Sequence, residues 1–303
     1  MLEILMRAGS FIAIIVLGYV LKKIGFFKQE DFPLLSRITI RITLPCAIIT
    51  SFAGKDIDPA LLSLTFFAIG CGLIYILIAW LINRKNSREQ QAFEMLNLPG
   101  YNIGTFVIPF AQSFLGSLGV MAVSLFDVGN AVICLGGAFG LASMVKDGAG
   151  FSLKRILKAL VRSVPFVTYI LMLLTNLLHI PVPGFVLSVA GIGTNANAFM
   201  AMLMIGVGFK LEMGNRQQMG TIVKLLSIRY GLAAVFALMF YFLLPFDLEV
   251  RQALVILAVS PIGSAVPGFT QELKGDVGLS SAMNSFAMVI SITITVVLLL
   301  VML

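Results

Sequence analysis

Apolar runs of about twenty residues recur from one end of this 303-residue chain to the other, and a helix of that length crosses the roughly 30 Å of hydrocarbon in a bilayer. Backbone in lipid finds no water for its amides and carbonyls, so such runs fold as helices. We read ten of them, at 4–21, 34–53, 60–82, 91–112, 118–144, 157–179, 184–209, 220–244, 252–272 and 279–302. With 59% hydrophobic residues, 12% charged residues and a mean hydropathy of +1.03, nothing is left over for a soluble domain. The expected class is an all-α integral membrane protein. Its first run is followed, not preceded, by Lys22, Lys23 and Lys28, and so reads as a retained helix rather than a leader peptide.

Lys and Arg accumulate in cytoplasmic loops. With the amino terminus outside, all but Arg7, Lys55 and Arg251 of the 21 basic residues fall in inside loops or nearby helix ends, Arg229 among them. The expectation is a multi-pass protein of the cell (inner or plasma) membrane with both termini outside. Its net charge of +7 then lies along one membrane face, beside anionic headgroups, and calls for no nucleic acid. Cys46, Cys71 and Cys134 lie in apolar runs without CxxC spacing, and the single His179 has no ligand cluster around it, so no metal site or disulfide framework is expected.

Each half of the chain holds five runs. Five is odd, so a second copy enters the membrane from the opposite side, which makes an inverted repeat. We divide the chain into a first five-helix repeat (1–145), a basic cytoplasmic connector (146–156) and an inverted second repeat (157–303). The stretch NIGTFVIPFAQSFLGSLG from Asn102 matches PIGSAVPGFTQELKGDVG from Pro261 at seven of eighteen positions, at an offset of 159 residues. These stretches fall in the fourth and ninth runs, the same ordinal place in each half.

Both are rich in proline and glycine. A proline inside a helix costs roughly 3 kcal/mol, and in hydrocarbon a broken helix survives only within protein or beside a wet cavity. Matched breaks therefore predict two broken helices that cross near mid-membrane around one cavity, with Pro109 and Pro267 each starting a second half-helix; the alternative is a pair of ordinary kinks, since Pro and Gly are common in membrane helices. Amides at such starts favour an anion, and carbonyls at the preceding ends favour a cation. The candidate substrate-binding residues are Asn102, Ile103, Gly104, Pro109, Pro261, Gly263, Ser264 and Pro267. Asn284 joins them because it lies 159 residues beyond Leu125 in the fifth run. Asp127 is read as the one acid well inside an apolar run, a candidate for ion or proton coupling together with Asn130 on the same helix face. The alternative for Asp127 is a structural acid bonded to a neighbouring helix. Asn195 and Asn197 read as interhelical glue, and Lys210 and Glu212 as a solvated helix end.

GYNIGTFVIPF, from Gly100 to Phe110, resembles the Gly-Asn-x-Gly-x-x-x-x-Pro signature of the auxin efflux carrier family of membrane transporters, with Tyr101 interrupting the usual Gly-Asn pair. FDVGNA from Phe126 and MIGVGFKLE from Met204 are similar to that family too. The resemblance implies the fold of bile-acid symporters and sodium/proton antiporters, in which helices 4 and 9 are broken and crossed. It also implies a scaffold of spans 1, 2, 6 and 7, a mobile transport unit made of the rest, and a homodimer. The implied activity is secondary transport of a small organic anion such as a dicarboxylate or auxin, coupled to H+ or Na+ or to neither. Other readings are a cation/proton antiporter of the same fold and a membrane anion sensor without transport. The chain has no GxxxxGK[ST] loop for ATP and no HExxH or GxSxG, so neither a cofactor nor enzymatic activity is expected.

Overall fold

The computed structural model describes residues 2–148, 150–209 and 216–303. Among them every regular element is a helix. In chain order these are α1 (Leu2–Lys23), α2 (Phe32–Phe52), α3 (Pro59–Ile82), α4 (Arg88–Asn97), α5 (Ile103–Phe114), α6 (Ser117–Asp147), α7 (Leu153–Arg162), α8 (Val164–Leu177), α9 (Gly184–Gly208), α10 (Arg216–Leu243), α11 (Leu248–Ala258), α12 (Val266–Glu272) and α13 (Val277–Met302). The helices α1, α2, α3, α6, α9, α10 and α13 are each long and apolar enough to cross a membrane. The fourth and ninth runs are broken, into α4 with α5 and α11 with α12.

The run expected at 157–179 begins later than expected, at Val164. Residues up to Arg162 belong to α7, which meets α8 at a bend of 80°. The cause is local. In α7 the cations Lys154, Arg155, Lys158 and Arg162 interleave at helical spacing with Leu153, Ile156, Leu157, Leu160 and Val161, an amphipathic pattern that lies along a membrane surface instead of entering it. Ser163 then starts a new helix by accepting a bond from the Phe166 amide at 3.5 Å, and Pro165 sits in its first turn, where its missing amide costs nothing.

Packing sorts the long helices into two bodies. Helix α1 lies mainly against α9, and α2 packs on both α8 and α9. Elsewhere α3 packs on α6, α4 on the end of α6, α11 on both α6 and α10, and α12 on α13. The first body thus holds α1, α2, α8 and α9, the second α3 to α6 and α10 to α13. Two glycines let α1 and α9 approach closely: a Cβ on Gly206 would sit 2.1 Å from the Ile15 carbonyl oxygen, and one on Gly18 would sit 2.5 Å from that of Leu203.

Contacts between loops define two faces. On the basic face Lys146 donates to the Leu273 carbonyl at 2.7 Å, Arg155 pairs with Glu272 at 2.7 Å, and Lys22 donates to the Phe209 carbonyl. On the opposite face Arg7 donates to the Ser113 carbonyl at 2.7 Å, and Glu249 accepts from the Gly119 amide at 2.6 Å.

Candidate functional site

Helices α4 and α11 stop in the same manner. Pro99 follows α4 without an amide hydrogen, and Gly100 then takes φ +83°, a left-handed conformation open to glycine. Helix α11 ends at Ala258, just ahead of Pro261. Each end leaves carbonyls without amide partners, and the two ends meet. The Asn102 amide donates to the Pro261 carbonyl at 3.0 Å, so two residues related by the 159-residue offset touch. The second half-helices differ in how they begin. Pro267 lies in the first turn of α12, as expected. Pro109 does not start α5: that helix begins at Ile103 with a wide turn in which the Val107 amide reaches the Asn102 carbonyl at 3.3 Å. Such a π turn absorbs the bond that Pro109 cannot make.

Into this crossing α10 inserts Arg229, which is only 1% exposed. Its guanidinium donates to the carbonyls of Leu98 (2.6 Å) and Gly100 (2.8 Å) on one break and of Ser260 (3.0 Å) and Pro261 (3.1 Å) on the other. The rings of Tyr75 and Tyr101 lie 5.6 and 5.5 Å from it. A helix end carries about half a negative charge, so two ends balance one guanidinium. Counting basic residues placed Arg229 with the cytoplasmic helix ends, and the structure corrects this. The usable signal was its position midway along an apolar span, where an ionisable residue is a functional candidate by default.

Asn130 of α6 holds the first break from the other side. Its Oδ1 accepts from the Tyr101 amide at 3.0 Å and its Nδ2 donates to the Tyr101 carbonyl at 3.0 Å, as a neighbouring strand would. Nδ2 also donates to Asp127 Oδ1 at 2.9 Å, and Asp127 Oδ2 accepts from the Tyr169 hydroxyl of α8 at 3.0 Å. Asp127 therefore bridges the two bodies. A second acid near the start of the expected run 91–112 is also buried: Glu94, fully buried, pairs with Lys224 of α10 at 3.1 Å, and Asn83 donates to it.

A cavity of about 510 Å³ lies between the bodies, reaching from the crossing toward the basic face. The first body contributes Phe32 and Pro33 of α2, and Met204, Ile205, Gly208 and Phe209 at the end of α9. The second contributes Asn102, Ser264, Pro267, Gly268 and Gln271 beside the breaks, and Ser281, Asn284, Ser285 and Met288 of α13. Of the residues singled out from sequence, Asn102, Ser264, Pro267 and Asn284 line this space. Ile103, Gly104 and Pro109 are turned to other parts of the packing, with Gly104 against Leu44 of α2, where a Cβ would come within 2.7 Å. Pro261 serves the crossing through its carbonyl, and Gly263 lies one step behind the wall, its carbonyl facing the Asn284 amide at 3.4 Å. Asp127 and Asn130 are not in the wall. No ionisable side chain lines the cavity among the described residues.

Toward the opposite face the bodies are in contact. Asn197 of α9 donates to Gln112 of α5 at 3.0 Å and accepts from Thr43 of α2 at 2.9 Å. Phe11 packs edge-on against Phe110 and Phe114, with ring centroids 5.0 and 5.9 Å apart. Asn195 is exposed on the outside of α9. Lys210 and Glu212 lie outside the described residues.

A helical protein with this many spans, two of its apolar runs broken beside a cavity, belongs to the class of polytopic membrane proteins. In the sequence comparisons, residues 5–149 match the family described as membrane transport protein. The chain is also 26% identical over 211 residues to a protein of Methanothermobacter thermautotrophicus described as an uncharacterized transporter. That alignment covers 67% of this chain and 66% of the relative, a little under two thirds of the relative's length.

Proposed function

We propose that this chain is a secondary transporter of a small organic anion that works by alternating access. One observation carries the reading: the cavity lies between two packed bodies at the helix crossing and its lining runs to the ends of α2 and α9 on the basic side, while hydrogen bonds and aromatic contacts hold the bodies together on the other. Its volume suits a small ligand. Amides and hydroxyls offer donors to a carboxylate, no acid in the described wall repels it, and α5 begins beside it at Asn102. The two inverted repeats, 1–145 and 157–303, would each supply one broken helix. With the basic face cytoplasmic, as the charge rule directs, the termini are outside and the cavity lies toward the inner side of the crossing. The resemblance to auxin efflux carriers supports a homodimer in the cell membrane.

Coupling to H+ or Na+ is proposed for Asp127 because its carboxylate links α6 to Tyr169 of α8 across the seam between the bodies. A change in its charge would alter that link as the bodies move. The test is uptake of radiolabelled mono- and dicarboxylates into proteoliposomes under imposed proton and sodium gradients. Flux of at least one carboxylate is expected, and no flux across the panel would refute the reading. Asp127→Asn is expected to transport without its gradient dependence; full retention of that dependence would remove Asp127 from coupling.

A further inference from the structure

In transporters built on broken helices, unwound carbonyls and the C-terminal ends of half-helices form the places where Na+ is held. Here the corresponding carbonyls, of Leu98, Gly100, Ser260 and Pro261, all point at one side chain, and both α4 and α11 terminate against it. We infer that Arg229 is the resident cation of the helix crossing: it occupies the carbonyl set that a monovalent metal ion would use and balances the two negative helix ends, so that the crossing binds no Na+ or K+ of its own.

Three features support the assignment. First, the charges match, since two ends of about half a negative charge each equal one guanidinium. Second, the planar fork fits the geometry: one nitrogen spans to Leu98 while the other serves three carbonyls from both breaks, which a point charge on a flexible stem does less well. Third, the cation is fixed in place. Arg229 is 1% exposed, its own carbonyl accepts from the Tyr75 hydroxyl at 3.1 Å, and two tyrosine rings enclose the charge. An ion that cannot leave cannot couple a gradient at that point. This deepens the transporter reading and rests on it. Any ion coupling is thereby moved away from the crossing.

The test uses thermal unfolding of the purified full-length protein, which needs no flux, so its outcome is separate from that of the transport assay. Wild-type protein is expected to unfold at the same temperature in Na+, K+ and choline at matched ionic strength. Arg229→Ala is expected to unfold at least about 5 °C lower, and to recover most of the loss in methylguanidinium or Na+ but not in choline. Should R229A not yield folded protein, Arg229→Lys carries the same comparison: one ammonium has three donors for four carbonyls, so a smaller loss and a smaller recovery by methylguanidinium are expected. Stabilisation of the wild type by Na+ to the same extent as the variant would overturn the inference. So would an R229A or R229K protein as stable as the wild type in choline.

Discussion

Replacing Asn130 by alanine tests the architecture of the crossing most directly. The change removes the bonds to the Tyr101 amide and carbonyl, at 3.0 Å each, and the bond to Asp127 at 2.9 Å. Two estimates compete. Side-chain bonds between membrane helices average only about 0.6 kcal/mol, because an unfolded chain within the bilayer finds other partners. Leaving a buried backbone donor or acceptor unpaired costs about 1–3 kcal/mol apiece. The second estimate governs here, because Tyr101 is 2% exposed and sits in the break, with no helical turn able to take over its amide. A loss of roughly 2–4 kcal/mol is expected, which corresponds to about 3–6 °C in the thermal transition of a chain this size. The assay is unfolding of the detergent-purified variant beside Asp127→Asn, which keeps both Tyr101 bonds and is expected to lose less than half as much. An Asn130→Ala protein within about 2 °C of wild type, or an Asp127→Asn protein equally damaged, would refute the view that Asn130 serves the backbone first and the acid second.

Three further outcomes are expected. Asn284→Ala, which removes a donor from the cavity wall, should weaken the apparent affinity for the transported anion about tenfold, the worth of one hydrogen bond to a charged ligand, while thermal stability holds; unchanged affinity in saturation-uptake curves would exclude Asn284 from the site. Gly206→Val places a methyl-bearing carbon about where a Cβ would lie 2.1 Å from the Ile15 carbonyl, and overpacking of that kind costs roughly 1–3 kcal/mol or more, so folded yield and melting temperature should both fall; a variant that purifies like wild type would mean that α1 shifts freely on α9. In α7, neutralising Lys154, Lys158 and Arg162 to Gln should abolish the added stability that anionic lipid confers in nanodiscs, at about 1 kcal/mol per cation; the same lipid dependence in the triple variant would mean that α7 does not lie on the headgroups.

Much of the crossing could be read before any coordinates. Proline and glycine within an apolar run carry a local cost that has no remedy in lipid, and the 159-residue offset paired the two segments that do meet, at Asn102 and Pro261. What escaped was whatever depends on a partner from elsewhere in the chain. Arg229 looked like one more cation on the basic side, because a loop count registers charge and ignores depth. Glu94 was passed over because its partner Lys224 is 130 residues away. The bend at Ser163 was hidden because averaging hydropathy over twenty residues merges the apolar face of α7 with the apolar body of α8. Asn197 could be recognised as glue, yet nothing local in the sequence marks Gln112 and Thr43 as what it joins.

The distribution of these bonds indicates which parts move. Within the second body the crossing is fastened by four guanidinium bonds and by the paired Asn130 bonds, all buried. Across the seam, the side-chain bonds described above are few: Gln112 with Asn197, Arg7 with the Ser113 carbonyl, and Tyr169 with Asp127. At about 0.5–1.5 kcal/mol net each, more for the charged ones, the three together oppose separation by roughly 2–6 kcal/mol. A solute that binds only one arrangement of the bodies and is present at about a hundred times its Kd shifts the equilibrium by about 2.7 kcal/mol, comparable to such a seam but directed at the wrong place to unpick a buried guanidinium. The crossing should therefore travel as one rigid unit against α1, α2, α8 and α9, carrying Asn102, Ser264 and Asn284 with it. Distances measured by paired spin labels within the second body should then stay constant when substrate is added, while those from α9 to α13 change; labels across the two breaks that separate on substrate addition would contradict this division.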